Sequence, residues 1–328
     1  MKTNLKRILS LLLVLVMVFA LAACGETTNK EDATKKEETT EEKPADDKAT
    51  EEKTDEEKPA DEKTEEKPAA KAEGPINVIS REEGSGTRGA FVEIVGVIDD
   101  KKQDITVQSA TVQNGTGNVV NTVKGDDKAI GYISLGSVDE SVKALKVDGV
   151  EATDEKVLSG DYKIARPFLF VFKKEADLSK EAADFLKFAL SKEGQEIAKE
   201  AKFITVDENA PAFEKTEGLE GTVKLSGSTS VEPLAIKLKE AYEKLNENVK
   251  IEIQANGSGQ GIEEAEKGVN DIGMSSRELK EEEKLDSKPI AKDGIAVIVA
   301  PNNPVEDIAM DSVKEIYLGN ITNWEDVK

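Results

Sequence analysis

An α/β fold in two runs is predicted by three observations. From Pro75 onward, short apolar stretches alternate with amphipathic helical patterns, which marks helices layered on sheets and not a sandwich or a bundle. A polar passage without periodicity, Asp207 to Glu220, holds Pro211 and Gly218 and separates two such runs, so it reads as a linker. Three clusters of glycine and hydroxyl residues each follow a strand candidate and precede a helix candidate.

In the first run, Ile76-Asn77-Val78-Ile79 is a strand candidate that feeds a glycine-rich turn, and Thr87 to Val97 is a helix candidate. Ala129 to Ile133 and Pro167 to Phe172 read as further strands. Lys180 to Lys199 carries Ala183, Leu186, Phe188, Leu190 and Ile197 at helical spacing and is expected to pack as one helix by one face. Phe203 to Val206 precedes the linker. The second run opens with the strand candidate Thr222 to Leu225, then a helix over Val231 to Leu245, a strand over Val249 to Ile253 and a strongly apolar strand over Ile295 to Val299. Gly74 to Lys328 is long enough for two modest lobes.

The segment before these runs reads as export and tether. Lys2, Lys6 and Arg7 precede an apolar run from Ile8 to Ala23, too short for a comfortable membrane span, which ends at Leu21-Ala22-Ala23-Cys24. Small residues directly before the only cysteine look like a lipobox: residues 1–24 are then a signal peptide, and Cys24 is diacylated on sulfur. Between Glu26 and Glu73, 19 acidic residues stand against 10 lysines, with near-repeats such as Glu41-Glu42-Lys43-Pro44-Ala45. Such a tract has almost nothing apolar to bury, so residues 25–73 are expected to be a solvated acidic tether.

Composition excludes several functions. With its one cysteine assigned to lipid, the chain has neither an intramolecular disulfide nor a thiolate metal cluster. It has no histidine, so a Ser-His hydrolase is ruled out, and no cofactor or metal is expected. A formal charge of −22 without a basic face argues against nucleic acid.

What chemistry the chain does carry lies in the three clusters: Arg81-Glu82-Glu83-Gly84-Ser85-Gly86-Thr87, Ser226-Gly227-Ser228-Thr229-Ser230, and Asn256-Gly257-Ser258-Gly259-Gln260-Gly261. A helix N-terminus offers free N–H groups and the positive end of the helix dipole, glycine allows close approach, and hydroxyls add donors. Singly, such a cluster is more often a plain N-cap. Three in one chain, one with an arginine, describe a cradle for an oxyanion. None is followed by the Gly-Lys-Ser/Thr of a nucleotide-hydrolysing loop.

These strings, with Arg88-Gly89-Ala90-Phe91, Asp271-Ile272-Gly273-Met274-Ser275-Ser276-Arg277 and Ile321-Thr322-Asn323-Trp324, give the chain its resemblance to the phosphate-specific solute-binding proteins of ABC importers, over nearly all of Pro75 to Lys328. The resemblance implies a two-lobed, hinged, periplasmic-binding-protein-like fold and no catalysis. Inorganic phosphate is then held between the lobes by Arg81, Ser85, Gly86, Thr87, Thr229, Ser230, Ser258 and Ser276. It further implies ABC permease transmembrane subunits as partners, and a monomer anchored through Cys24 on the outer face of the bacterial membrane. Some family members hold an aspartate where this chain has Ser276, and that carboxylate accepts the proton of hydrogen phosphate. Here the acceptor would be Glu83, Asp271 or a serine hydroxyl, and solvated or capping carboxylates are an equal reading of the first two.

The order of segments departs from the family. There the Gly-Ser-Thr-Ser segment opens the chain, and the Arg-Glu-Glu-Gly-Ser-Gly-Thr segment follows the Asn-Trp element; here that order is reversed. This is the pattern of a circular permutation, with 207–220 joining the family's usual termini; the alternative is a piece of a longer tandem protein. For a permutant, 75–161 plus 301–328 form one lobe and 162–206 plus 221–300 the other, with crossings near 162 and 300. Competing functions are another tetrahedral oxyanion as ligand, an enzyme on phosphate esters or acyl groups acting through Ser85 or Ser258, and a surface sensing or adhesion protein that keeps the fold.

Overall fold

The computed structural model describes residues 72–328. Cys24 and nearly all of the 25–73 tract, for which a lipid anchor and a tether are expected, lie outside these residues.

The strands are β1 (Asn77–Arg81), β2 (Thr111–Gln113), β3 (Ala129–Ser134), β4 (Lys143–Ala144), β5 (Lys146–Val147), β6 (Ala165–Phe172), β7 (Gly221–Gly227), β8 (Val249–Ala255), β9 (Ile272–Ser275), β10 (Asp286–Val299) and β11 (Asp307–Ile308). The helices are α1 (Gly86–Val95), α2 (Thr116–Lys124), α3 (Asp154–Ser159), α4 (Lys180–Ala189), α5 (Lys192–Glu200), α6 (Glu232–Leu245), α7 (Ser258–Lys267) and α8 (Met310–Leu318). The main sheet runs β2-β1-β3-β10-β6-β9-β7-β8. At one end β1 is parallel to β2 and β3; at the other β7 is parallel to β8 and β9. Between these two parallel groups lie the antiparallel strands β10 and β6.

Apolar packing follows the same division. One core gathers Phe91, Tyr132, Ile295, Val297, Tyr317 and Trp324, and the other gathers Phe168, Phe170, Phe185, Phe188, Leu234 and Tyr242. The division differs in detail from the sequence expectation of crossings near 162 and 300. Ile295 to Val299 pair with β3, with Ile295, Val297 and Val299 in the first core and Ala296 and Ile298 packed on Val119 and Val123 of α2, whereas Asp286 to Gly294 pair with β6. One long strand is thus shared by both halves, a role its uniform apolarity does not reveal.

The expected single helix over 180–199 is two helices. Ser191 ends the first by donating to Phe188 O and caps the second by accepting from Gly194 N–H. Gly194 is required because a Cβ there would press on the Phe188 and Ala189 carbonyls. The 207–220 segment holds no helix or strand but is not loose: Phe213 packs edge-on to Phe188, and Pro211 O accepts from Lys192 N–H. The first and last described segments meet each other. Ile76 N–H donates to Thr322 O, Trp324 N–H to Gly74 O, and Pro75 and Asn323 form an antiparallel bridge.

Candidate oxyanion-binding site

Parallel strands aim their carboxyl ends, and the helices that follow them, toward one edge of the sheet, where ligands of open α/β sheets bind. Arg81 is the last residue of β1, and Thr116 opens α2 after β2. From the other half, Ser228 to Ser230 follow β7, Ser258 opens α7 after β8, and Ser276 follows β9. The N-termini of α1, α2, α6 and α7 therefore turn the positive ends of four helix dipoles toward one place.

Arg81 is only 1% exposed, and its surroundings fix its orientation. The Tyr132 hydroxyl, its pKa pushed up to about 12 by burial and so neutral, bonds Ser80 Oγ at 2.9 Å and accepts from Arg81 N–H at 3.3 Å. Arg88, itself paired with Asp104, donates to Arg81 O at 2.9 Å. One edge of the Arg81 guanidinium grips Glu82, with Nε and Nη2 each 2.8 Å from a carboxylate oxygen. Burial works to raise the Glu82 carboxyl, but Arg81 and the Gly115 N–H outweigh it and hold the group below the ordinary carboxylate range. The other edge faces hydroxyls: Nη2 donates to Thr229 Oγ1 at 3.0 Å, while Nη1 reaches Thr87 Oγ1 at 3.4 Å and Thr116 Oγ1 at 3.5 Å.

The hydroxyls bond one another across the two halves. Thr87 Oγ1 and Ser230 Oγ are 2.9 Å apart, and Thr116 Oγ1 lies 3.3 Å from Thr229 Oγ1. A second chain lies beside them. Ser228 Oγ accepts from the N–H groups of Ser230 and Val231 and donates to Ser276 Oγ at 2.9 Å; Ser258 Oγ accepts from Ser276 N–H at 3.1 Å. Gly86 lies against this pair, so a Cβ there would stand 2.6 Å from Ser276 Oγ and closer still to Ser258 Oγ. Backbone contact joins the halves as well, through Gly259 N–H and Gly84 O at 2.8 Å.

The structure thus brings Arg81, Gly86, Thr87, Thr229, Ser230, Ser258 and Ser276 to one cluster. Ser85 is buried beside it, and its hydroxyl caps α1 by accepting from Arg88 N–H at 3.3 Å. Glu83 and Asp271 do not join. Glu83 is exposed, and Asp271 accepts from Lys224 N–H at the start of β9, the opposite end of that strand from Ser276. Three members were not singled out from sequence: Glu82, Thr116 and Ser228. Thr116 sits in Asn114-Gly115-Thr116-Gly117, the same glycine-hydroxyl pattern as the three clusters, and was the one most open to discovery.

Fold and cluster together define an α/β binding protein of two halves whose polar residues converge at strand carboxyl ends. Residues 48–193 and 214–328 match the PBP superfamily domain, and the chain belongs to that superfamily. It is 45% identical over 262 residues to Phosphate-binding protein PstS 2 of Streptococcus pneumoniae, covering 78% of this chain and 89% of that protein. The crystal structure of a phosphate ABC transporter phosphate-binding protein from Streptococcus pneumoniae superposes with a TM-score of 0.63 at 45% identity, over 78% of this chain and all of the other. The match to Phosphate-binding protein PstS of Bacillus subtilis is shorter, 32% identity over 124 residues, or 36% of this chain and 41% of that one.

Proposed function

We propose that this chain captures inorganic phosphate outside the cell and delivers it to the transmembrane subunits of an ABC importer, as a monomer held at the outer membrane face by lipid on Cys24. One observation carries the ligand assignment: a buried guanidinium with one edge neutralised by Glu82 turns its other edge toward Thr87, Thr116 and Thr229, where helix N-termini converge. Arg81 supplies the charge in fork geometry. Ser85, Gly86 and Thr87 contribute the first turn of α1, and Thr229, Ser230, Ser258 and Ser276 contribute donors from the facing half. Charged hydrogen bonds add roughly 1.5–3 kcal/mol each, and micromolar affinity needs about 8 kcal/mol, so a handful suffices even after association losses.

Entry of the anion requires the halves to part at the Thr87–Ser230 and Gly84–Gly259 contacts, and β6 with β10 is the connection about which they hinge. Segment order fits a circular permutation. Residues 74–76 pair with 322–325, so joining them needs no rearrangement.

A second oxyanion is favoured by one feature: the hydroxyl cluster holds serine at 276, and a hydroxyl both donates and accepts, whereas an ionised carboxylate only accepts. Calorimetric titration with phosphate, sulfate and arsenate tests both readings. Micromolar or tighter phosphate binding with weaker sulfate binding is expected; heat from sulfate alone, or from none of the three, overturns the phosphate assignment.

A further inference from the structure

Directly beneath the hydroxyl cluster lies a second guanidinium. Arg166 on β6 and Asp293 on β10 are register partners on the two strands that connect the halves. Nε and Nη2 of Arg166 donate to Asp293 Oδ2 at 3.2 and 3.0 Å, and both side chains are 1% exposed. The third nitrogen, Nη1, donates to the Ser276 carbonyl at 3.3 Å, and the guanidinium stacks 5.4 Å from the Phe168 ring centre. From the other half, Gly136 N–H approaches Asp293 Oδ1 at 3.5 Å.

A buried ion pair is a poor stabiliser, because desolvating two charges offsets most of their attraction, and apolar replacements often do as well. This pair has a different use. It spans the hinge strands and grips the carbonyl of the residue whose N–H and Oγ enter the Ser258 and Ser228 bonds, which fixes the Ser276 turn from behind. It also places a permanent cation beside the site. Burial and then the neighbouring Arg81 charge lower the Arg166 pKa, Asp293 opposes them, and a guanidinium stays protonated regardless.

We propose that Arg166 and Asp293 are positioning residues for the oxyanion, with Arg166 orienting Ser276 and Asp293 limiting the positive charge beneath the ligand. The inference rests on the phosphate reading above and goes beyond it in predicting opposite signs for the two partners. With Asp293 neutralised, Arg166 is left uncompensated in a region of weak screening and attracts a dianion more strongly; without Arg166, the buried carboxylate repels the anion and Ser276 loses its anchor.

The test is phosphate titration and thermal unfolding of the full chain with Asp293→Asn and with Arg166→Met. Both variants should melt at lower temperature without phosphate, yet Asp293→Asn should bind phosphate several-fold to roughly tenfold tighter, and Arg166→Met at least about tenfold weaker. A merely structural pair would weaken binding in both, and that result, or unchanged affinity in both, overturns the proposal. Should Asp293→Asn fail to fold, Arg166→Lys decides: it keeps the charge and loses the fork, so its loss should be clearly smaller than that of Arg166→Met, and equal losses overturn the charge role. Absence of phosphate binding by the unmodified chain would overturn the phosphate reading instead.

Discussion

The two halves face each other across the site with unlike equipment. The β1–α1 loop brings the charged groups, Arg81 chelated to Glu82, and the loops after β7, β8 and β9 bring only hydroxyls and helix N-termini. Among the loops, charge on one side and neutral dipoles on the other mean that the anion first meets attraction at one face, and the second face, with the Arg166–Asp293 pair behind it, closes onto it with bonds that are directional and short in range. Among the loop residues, affinity is therefore concentrated in Arg81, whereas the discrimination of shape is spread over many.

The sharpest break of this comparison is Arg81→Ala. Removing the guanidinium also leaves Glu82 without its bidentate partner, so phosphate affinity should fall by about a thousandfold or more in calorimetry. From the neutral side, Thr229→Val removes one hydroxyl at nearly constant shape and should lower affinity only about three- to tenfold. Equal losses in the two variants would show that charge is not concentrated in the β1–α1 half.

Gly86→Ala probes the seam, with an effect between those two. Its Cβ would occupy the space of Ser258 Oγ and Ser276 Oγ, which belong to the other half, so the added methyl acts on closure and not on the fold of α1. Phosphate binding should weaken by about a hundredfold while the melting temperature without phosphate changes little; binding at normal strength would mean that the halves do not approach at this point in the bound state.

Much of this arrangement was legible in the residues. Alternating apolar strands and amphipathic helices gave the layers, and glycine-hydroxyl strings marked three of the loops that meet at the site. What escaped was set by tertiary placement. β2 has three residues and an exposed pattern, so no strand signal introduced Thr116. Asp271 and Ser276 are near neighbours in sequence, but a strand of roughly 3.3 Å per residue puts them at opposite ends, and only the end that follows β9 reaches the cluster. Sequence does not separate Glu82 from Glu83, because adjacent residues give no spacing to argue from; the turn after Arg81 decides which carboxylate faces the guanidinium. The break at Ser191 was hidden by apolar spacing that continues through it, although serine followed by Lys-Glu-Gly is an N-cap signal.

The smallest effect sharpens the comparison within the charged half itself. Glu82 has a folded-state pKa below its ordinary value of 4.5, the outcome of burial raising it and Arg81 lowering it further. A depressed carboxyl contributes stability that is present above the unfolded pKa and is lost as pH falls through the folded one. The unfolding free energy of the unmodified chain minus that of Glu82→Gln should therefore be flat from about pH 5 to 8 and shrink only below about pH 4.5. Phosphate affinity of Glu82→Gln at neutral pH should rise severalfold at most, since one edge of Arg81 is no longer neutralised. A stability difference that shrinks already between pH 8 and 5 would place the titrating group elsewhere, and weaker binding by Glu82→Gln would show that its carboxylate positions Arg81 more than it competes with the ligand.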